Sequence, residues 1–429
     1  MHFDRKTPLA HAAVWLLLYL ATGALSGEFN VSTAALAPYV WLPAGVSLAA
    51  MLLSRSVSGI PLAIAFALLQ AVLSHQGGRD VLSSLVLGLL AGVAPLAAAA
   101  LVRALRMKLE GLHLLPTVVA AALVSAVLLG CGGSSYFAIT HGMPFWAPLW
   151  QWSAAIFVGV CITLPLLAVW AQLRARRSAP RNVCREIVGY AAFVAMAAIT
   201  WALFDSGTAL RLDALGVTCP LYLPMFCVVI VAIVGGARGG TLAVLALTLI
   251  CLGHTVRGEG PFAAQSVPAA LMLLQAQMYI GAAAMLVLIV HALRDAEAQA
   301  RALAERWRTE LELSLAGAAQ AAYSVDPASG GVQWRGDVHR LTGLAAERLA
   351  TVEDVIDLVH PDDRELLRAR WRAPEAALAA PRHLPFRLSR ACGAQEWLEL
   401  VDLGSPLSDG NGRVAFVAGV WQNPSPSVR

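Results

Sequence analysis

"YIGAAAMLVLIVHALRDAEAQARALAERW" (residues 279–307) changes solvent halfway along its length. Up to Leu293 it is almost wholly apolar, and from Arg294 onward charges recur every few residues. The rest of the chain divides at the same point. Over all 429 residues, 58% are hydrophobic and 14% charged, with a mean hydropathy of +0.66. Soluble domains run nearer a quarter charged, so this is membrane composition, concentrated from residue 9 to about 292. The junction is a helix signal. Residues 293–315 hold no Gly or Pro and are rich in Glu, Ala, Arg and Leu, so a helix is expected to leave the membrane unbroken. Leu293, Ala296, Ala300, Leu303 and Trp307 recur at alternating spacings of three and four, as in a coiled-coil seam. The expectation is a parallel dimeric connector; an amphipathic helix lying on its own domain fits the same spacing.

A helix crossing ~30 Å of hydrocarbon needs roughly 20 apolar residues. Candidate spans cover about 9–27, 37–53, 58–75, 81–102, 115–138, 148–171, 186–204, 217–235, 240–255 and 268–292, with the second, third and ninth short. Between eight and ten spans are therefore expected. Arg5 and Lys6 before the first apolar run give it the look of a signal peptide, but the spans behind it favour an uncleaved first helix. One set of loops carries Arg5, Lys6, Arg55, Arg103, Arg106, Lys108, Arg174, Arg176, Arg177, Arg181, Arg185 and Arg238, and the opposite set only Arg79, Arg211 and Arg257. The positive-inside rule makes the rich side cytoplasmic, together with both termini. The span interiors hold essentially no ionisable residue; Gln70, Gln275 and Gln277 are the polar exceptions, with His75, His254 and His291 near span ends. A proton- or sodium-coupled transporter needs a buried acid, so this pattern favours a receptor.

Three membrane stretches stand out. "VWLPAGVSLAAMLL" (40–53) opens a span with Trp41, Pro43 and Gly45. "WQWSAAIFVGVCITLP" (150–165) pairs Trp150 and Trp152 with a Gly–Pro ending, and residues 234–262 lead to a loop holding Arg257, Glu259, Gly260, Pro261 and Phe262. Each has a structural explanation in interfacial tryptophans and close-packing glycines. In this order, and with Gln275 in the last span, they resemble the first-described MASE type of bacterial membrane-associated sensor over roughly residues 10–292. The resemblance implies signal input from the membrane or periplasm, with these residues as candidate sensing positions. Family members often carry an acid shortly before the mid-chain glycine, where this chain reads Ser153-Ala154-Ala155. If that acid helps bind a ligand in the family, this chain is expected to sense something else or to sense it differently.

From 316 to 423 the expected order is strand, turn, strand, short helices, then three strands at hairpin spacing: "LPFRLSR", "QEWLELVDLGSPL" and "RVAFVAGVWQN", joined by "RACGA" and "SDGNG". This is an α+β domain with one antiparallel sheet. With "WRGDVHRLTGLAAERL" and "DLVHPDDRELLRARW" it resembles a PAS sensor domain. Within the second stretch, His360, Pro361, Asp362, Asp363 and Arg364 are expected to be structural: Asp362 or Asp363 caps the helix "RELLRARW" and His360 orients the turn. Tyr323, Trp334, Leu358, Leu367, Phe386, Trp397 and Phe416 are expected to face inward around the PAS pocket. No cofactor is expected there: the Asn-Cys-Arg flavin motif is absent, and no histidine lies inside the long helix to ligate haem. An unidentified small ligand is the alternative to an empty pocket.

The seven cysteines show no CxxC or zinc spacing, so neither disulfides nor a metal site is expected. No GGDEF-like, EAL-like, histidine-kinase or P-loop signature appears, so no catalytic residue is assigned. The net charge of +4 reflects arginines flanking spans rather than a nucleic-acid footprint. The expected organisation is a multi-pass sensor domain (1–292), a connector (293–315), a PAS domain (316–423) and a polar tail (424–429). The expected function is a bacterial inner-membrane receptor without enzymatic output. Its expected partners are the bilayer, a second copy through connector and PAS domain, and a separate cytoplasmic signalling enzyme. A solute transporter with a regulatory PAS domain, or the truncated sensor part of a diguanylate cyclase or histidine kinase, are the alternatives.

Overall fold

The structure, a computed structural model, describes residues 8–29, 38–54, 59–109, 111–171, 183–216, 220–263, 269–317, 320–372, 383–389, 396–408 and 414–424. The arginine-rich loop at 174–181, the "RACGA" turn, most of "SDGNG" and the end of the tail lie outside these residues. Two compact units, Met1–Gln299 and Ala300–Arg429, divide the chain.

The first unit is a helical bundle: α1 (Pro8–Glu28), α2 (Leu42–Leu53), α3 (Gly59–Gln76), α4 (Val81–Ala104), α5 (Leu114–His141), α6 (Trp146–Ala171), α7 (Val183–Phe204), α8 (Ser206–Ala214), α9 (Leu223–Val256) and, as far as Gln299, α10 (Ala269–Gly317). Among the described residues, eight helices are long and apolar enough to cross a membrane. The second candidate span is instead the short α2, whose residues from Leu42 to Met51 are all buried. A helix apolar on every side is satisfied only when surrounded, and α2 is. Pro43 sits in its first turn, where a missing N–H costs nothing. At its other end the Arg103 guanidinium of α4 donates to the Met51 carbonyl, one of the four that a helix end leaves open.

The eighth and ninth candidate spans are the two legs of α9. Gly236 at φ 68°, ψ −164° breaks the helix, and a Cβ on Gly240 would lie 3.2 Å from the Ala232 Cα. Residues eight apart in a straight helix are ~12 Å apart, so the chain folds back on itself at Gly236. Only glycine occupies that backbone region freely.

The longest helix, α10, has 49 residues and runs from the last apolar span through the charged stretch without interruption. On its charged part Leu293, Leu303 and Trp307 are exposed. The turn of α10 around Asp295 is anchored within the first unit: the Asp295 carboxylate accepts a hydrogen bond from the Gly111 N–H at 2.6 Å.

The second unit is one antiparallel sheet with short helices. Its strands are β1 (Gln320–Val325), β2 (Val332–Arg335), β3 (Leu384–Ser389), β4 (Trp397–Asp402), β5 (Ser405–Ser408) and β6 (Val414–Gln422), in the order β2-β1-β6-β4-β3 with β5 also on β6. The expected fourth strand is interrupted: β4 and β5 pair with successive parts of β6. The helices α11 (Val338–Thr342), α12 (Val352–Leu358) and α13 (Arg364–Arg372) connect β2 to β3. Thr351 and Asp354 form a reciprocal capping box at the start of α12. The core joins Ala321, Tyr323 and Val325 of β1 to Val355 and Ile356 of α12, Trp371 of α13 and Trp421 of β6.

Candidate functional site

The membrane motifs fold onto one another. The Trp41 N–H donates to the Ala155 carbonyl of α6 at 3.0 Å, and the Thr163 hydroxyl donates to the Leu42 carbonyl at 3.2 Å. A Cβ on Gly45 would lie 1.8 Å from the Thr163 Oγ1, and one on Gly159 would lie 2.1 Å from the Trp41 carbonyl oxygen. The "WLPAG" glycine and the mid-chain glycine are thus the two faces of one helix crossing, where backbones approach without intervening side chains. Gly45 builds this seam, while Pro43, in the first turn of α2, lies 3.7 Å from where a Cβ on Gly23 of α1 would stand.

Beside the seam lies a cavity of ≈ 660 Å³ lined by residues of α1 and α3–α6 and by Trp41. Trp41 and Trp152, from two of the motifs, form part of its wall. Tyr19 donates to Gln70 Oε1 at 2.8 Å, and the Gln70 amide donates to Ser74 at 3.1 Å. Arg79, whose N–H donates to the Ser74 carbonyl at 3.3 Å, places its guanidinium 5.4 Å from the Phe137 ring centre and 5.6 Å from that of Trp152. Those two rings meet edge to face at 5.4 Å. Asp80, the next residue, caps α4 by accepting from Ser83, and these bonds hold its carboxyl below the usual range. The wall contains one cation and no carboxylate among its described residues. Sequence reading counted Arg79 only as a loop charge; the signal that could have found it is its place directly between two spans on the arginine-poor side.

The other sensing candidates fall elsewhere. Trp150, two residues before Trp152 and about 200° around the helix from it, is 65% exposed. Gln275 is exposed on α10, whereas Gln277 is buried and donates to the Gln151 carbonyl at 3.2 Å. Arg257 and Pro261 are exposed in the loop after α9. In the same loop Phe262 is buried, 5.7 Å from the Phe204 ring and 5.4 Å from that of Tyr279 on α10. Glu259 accepts from His254 at 2.6 Å, and Gly260 places its N–H 3.4 Å from the Ser206 hydroxyl.

In the PAS unit Tyr323, Leu367 and Phe386 are buried, and Trp334 and Leu358 are partly so. Trp397 and Phe416 correct the inward expectation: both are more than 40% exposed. The inward face of β4 is Leu400 and Asp402, so Trp397 points out, against the His360 ring at 4.6 Å. Sequence reading missed Trp371 and Trp421, which are fully buried and stack at 5.8 Å, close to Tyr323, Trp334 and Phe386. It also missed the buried ion pair beneath them, Arg370 to Asp402 at 3.0 Å. Burial holds the Asp402 carboxyl above its usual range, against the pull of Arg370. It also pushes the Tyr323 phenol up, with the Asp402 charge adding to the effect.

The "HPDDR" segment forms a 3-10 turn (Pro361–Asp363) leading into α13. The cap differs from the expectation. His360 Nδ1 accepts from the Asp362 N–H at 3.3 Å, while Asp363 accepts three bonds from Arg387 of β3: backbone N at 3.0 Å, Nε at 2.9 Å and a terminal nitrogen at 3.1 Å. Asp362 meets the same guanidinium at 3.3 Å. A planar guanidinium offers paired donors that outcompete a lone helix N–H. Arg364 donates to the carbonyls of Val359 and Asp357. His360, Asp362 and Asp363 thus fasten the turn to β3, while Arg364 ties it back to the end of α12.

Comparison with known proteins agrees with this division. Residues 331–421 match the PAS fold family model. No curated protein matches the chain. Among solved structures, the N-terminal domain of a diguanylate cyclase with PAS/PAC sensor from Marinobacter aquaeolei is 16% identical, covering 24% of this chain and 94% of that one, with a TM-score of 0.22. Residues 8–296, two thirds of the sequence, match the MASE1 family model, and the chain belongs to that family, with a PAS-fold domain after its membrane part.

Proposed function

We propose that this chain is a bacterial inner-membrane receptor whose cavity beneath Arg79 takes a small amphiphile with an anionic group. The observation that carries the reading is the cavity itself. One guanidinium is held over two aromatic rings, the Tyr19–Gln70–Ser74 hydrogen-bond chain reaches the same wall, and Arg79 is the one charged side chain among the described lining residues. Such a wall favours an acid with an apolar body. Arg103, Arg106, Lys108 and Arg238 fall toward the end of the bundle where Asp295 meets Gly111 and where Leu109, Arg238 and His291 surround a smaller cavity. This supports a cytoplasmic position for that end and a periplasmic one for Arg79. The unbroken α10 is then the transmitter, and its exposed Leu303 and Trp307 are the seam of a dimer. The PAS domain docks a separate cytoplasmic enzyme, with its interior filled by aromatic rings rather than by a cofactor.

The test is native mass spectrometry of the full chain in detergent, followed by titration of any acid that copurifies. Arg79→Ala is expected to weaken its binding at least tenfold, the equivalent of one charge-assisted hydrogen bond of about 1.5–3 kcal/mol. Trp150→Ala, outside the cavity, leaves it unchanged. Equal binding by wild type and Arg79→Ala would refute the assignment.

A further inference from the structure

Where α10 passes from its apolar to its charged half, two neighbouring cavities of ≈ 370 Å³ and ≈ 190 Å³ lie against it. Ala237, His291 and Asp295 belong to both walls; Arg238 adds to the larger, and Gly236 and Arg294 to the smaller. His291, Arg294 and Asp295 stand three and four residues apart, so they share one face of α10. On the opposite wall α9 reverses at Gly236, and its second leg starts there with the partial positive charge of a first helical turn.

Two polar atoms at this place are sealed without a partner. Among the described residues, neither His291 Nδ1 nor Arg294 Nη1, both buried, makes a hydrogen bond. A guanidinium nitrogen can only donate, and an imidazole nitrogen donates when it carries the proton. A buried donor with no acceptor costs stability. Asp295 is engaged elsewhere: its carboxylate accepts from the Gly111 N–H at 2.6 Å, and the Gln299 amide stands 3.5 Å from the same oxygen. Two guanidiniums and an imidazole thus meet one carboxylate among the described lining residues, and what the cavities lack is acceptor oxygen.

We propose that Arg238, His291 and Arg294 bind a phosphate group between the reversal of α9 and the emerging α10, separate from the Arg79 cavity. The donors come from two helices and three side chains. A phosphate offers oxygens in several directions to such a set, whereas a carboxylate's two coplanar oxygens suit a single guanidinium fork. Apart from its charged residues and His291, the larger wall is apolar. A basic pocket between spans, at the level where the chain leaves the hydrocarbon, fits the phosphate of a lipid headgroup; a free phosphate shares the same chemistry. The bound group ties the turn of α9 to the helix that leaves the membrane, which gives the bundle a second input.

The full chain, stripped of lipid in a non-ionic detergent, is titrated in two arms by calorimetry and thermal unfolding. One arm uses inorganic phosphate and the other short-chain phosphatidic acid in the same micelles. Wild type is expected to bind in at least one arm and to gain thermal stability: phosphatidic acid alone identifies a lipid, and both probes identify the free group as sufficient. Arg294→Gln is expected to bind at least about tenfold more weakly, the loss of one charge-assisted hydrogen bond. Arg238→Gln, at an exposed position that leaves folding intact, is expected to weaken binding several-fold and decides the matter if Arg294→Gln fails to fold. Arg211→Gln, exposed on α8 and absent from both walls, removes the same charge and is expected to bind as wild type does. No binding by wild type in either arm, or wild-type binding by both Arg294→Gln and Arg238→Gln, overturns the site.

Discussion

Asp363 accepts three hydrogen bonds from Arg387 and is largely buried by them. Arg387 holds its carboxyl below the usual range. A depressed folded pKa contributes stability above the unfolded value of about 3.9, and that stability is lost as pH falls through the folded one. Asp363→Asn is expected to cost the PAS unit about 1–3 kcal/mol at neutral pH. The gap from wild type should narrow as the solution is acidified below about pH 4. Urea-dependent proteolysis of the PAS unit in the detergent-solubilised chain measures both. The sequence made Asp363 legible as structural, but its partner lies 24 residues away on β3, and nothing local points to it. The same limit explains Trp397. Period-two alternation says which residues of a strand share a face, and leaves open which face is inside. Choosing correctly on β4 means placing Asp402 in the core, which is unfavourable until Arg370, 32 residues upstream, arrives to pair with it.

At the scale of elements, helices were legible by length and apolarity, while their encounters were not. The sequence marks Gly45 and Gly159 as notable; that each makes room for the other's helix emerges only from the crossing of α2 and α6. The 217–235 and 240–255 spans were legible as two segments because the small-residue stretch between them reads as a break. The fold concentrates that break in a single residue, Gly236, whose backbone lies where any Cβ is strained by about 1–3 kcal/mol. Gly236→Ala is expected to lower the unfolding temperature of the purified protein by several degrees. Gly235→Ala next to it, whose added Cβ meets only the Val231 side chain at 4.0 Å, is expected to leave it within a degree. A temperature series of proteolysis in micelles separates the two, and equal melting would mean that the reversal is not held by Gly236.

For the whole molecule, the stretch at 279–307 declares both solvents and the helix joining them, which is why the division of the chain was legible before its packing. The apolar spacing on the charged half of α10 has no partner within the described chain: Leu303 and Trp307 are both more than half exposed. A photo-crosslinking side chain at 303 or 307 is expected to capture a second copy in membranes several-fold more efficiently than one at 305, about 200° around the helix from 303. Equal capture at all three positions would argue against a parallel seam. The reversal at Gly236 also bears on biogenesis. The first leg of α9, from Leu223 to Gly235, rises only ~20 Å, and α2 only ~18 Å, against ~30 Å of hydrocarbon. Neither piece can settle in lipid as a solitary rod with its end groups sealed. The insertion machinery must therefore shelter α2 until α6 emerges, and the first leg until its sister follows, so the order of synthesis becomes part of how this bundle is assembled.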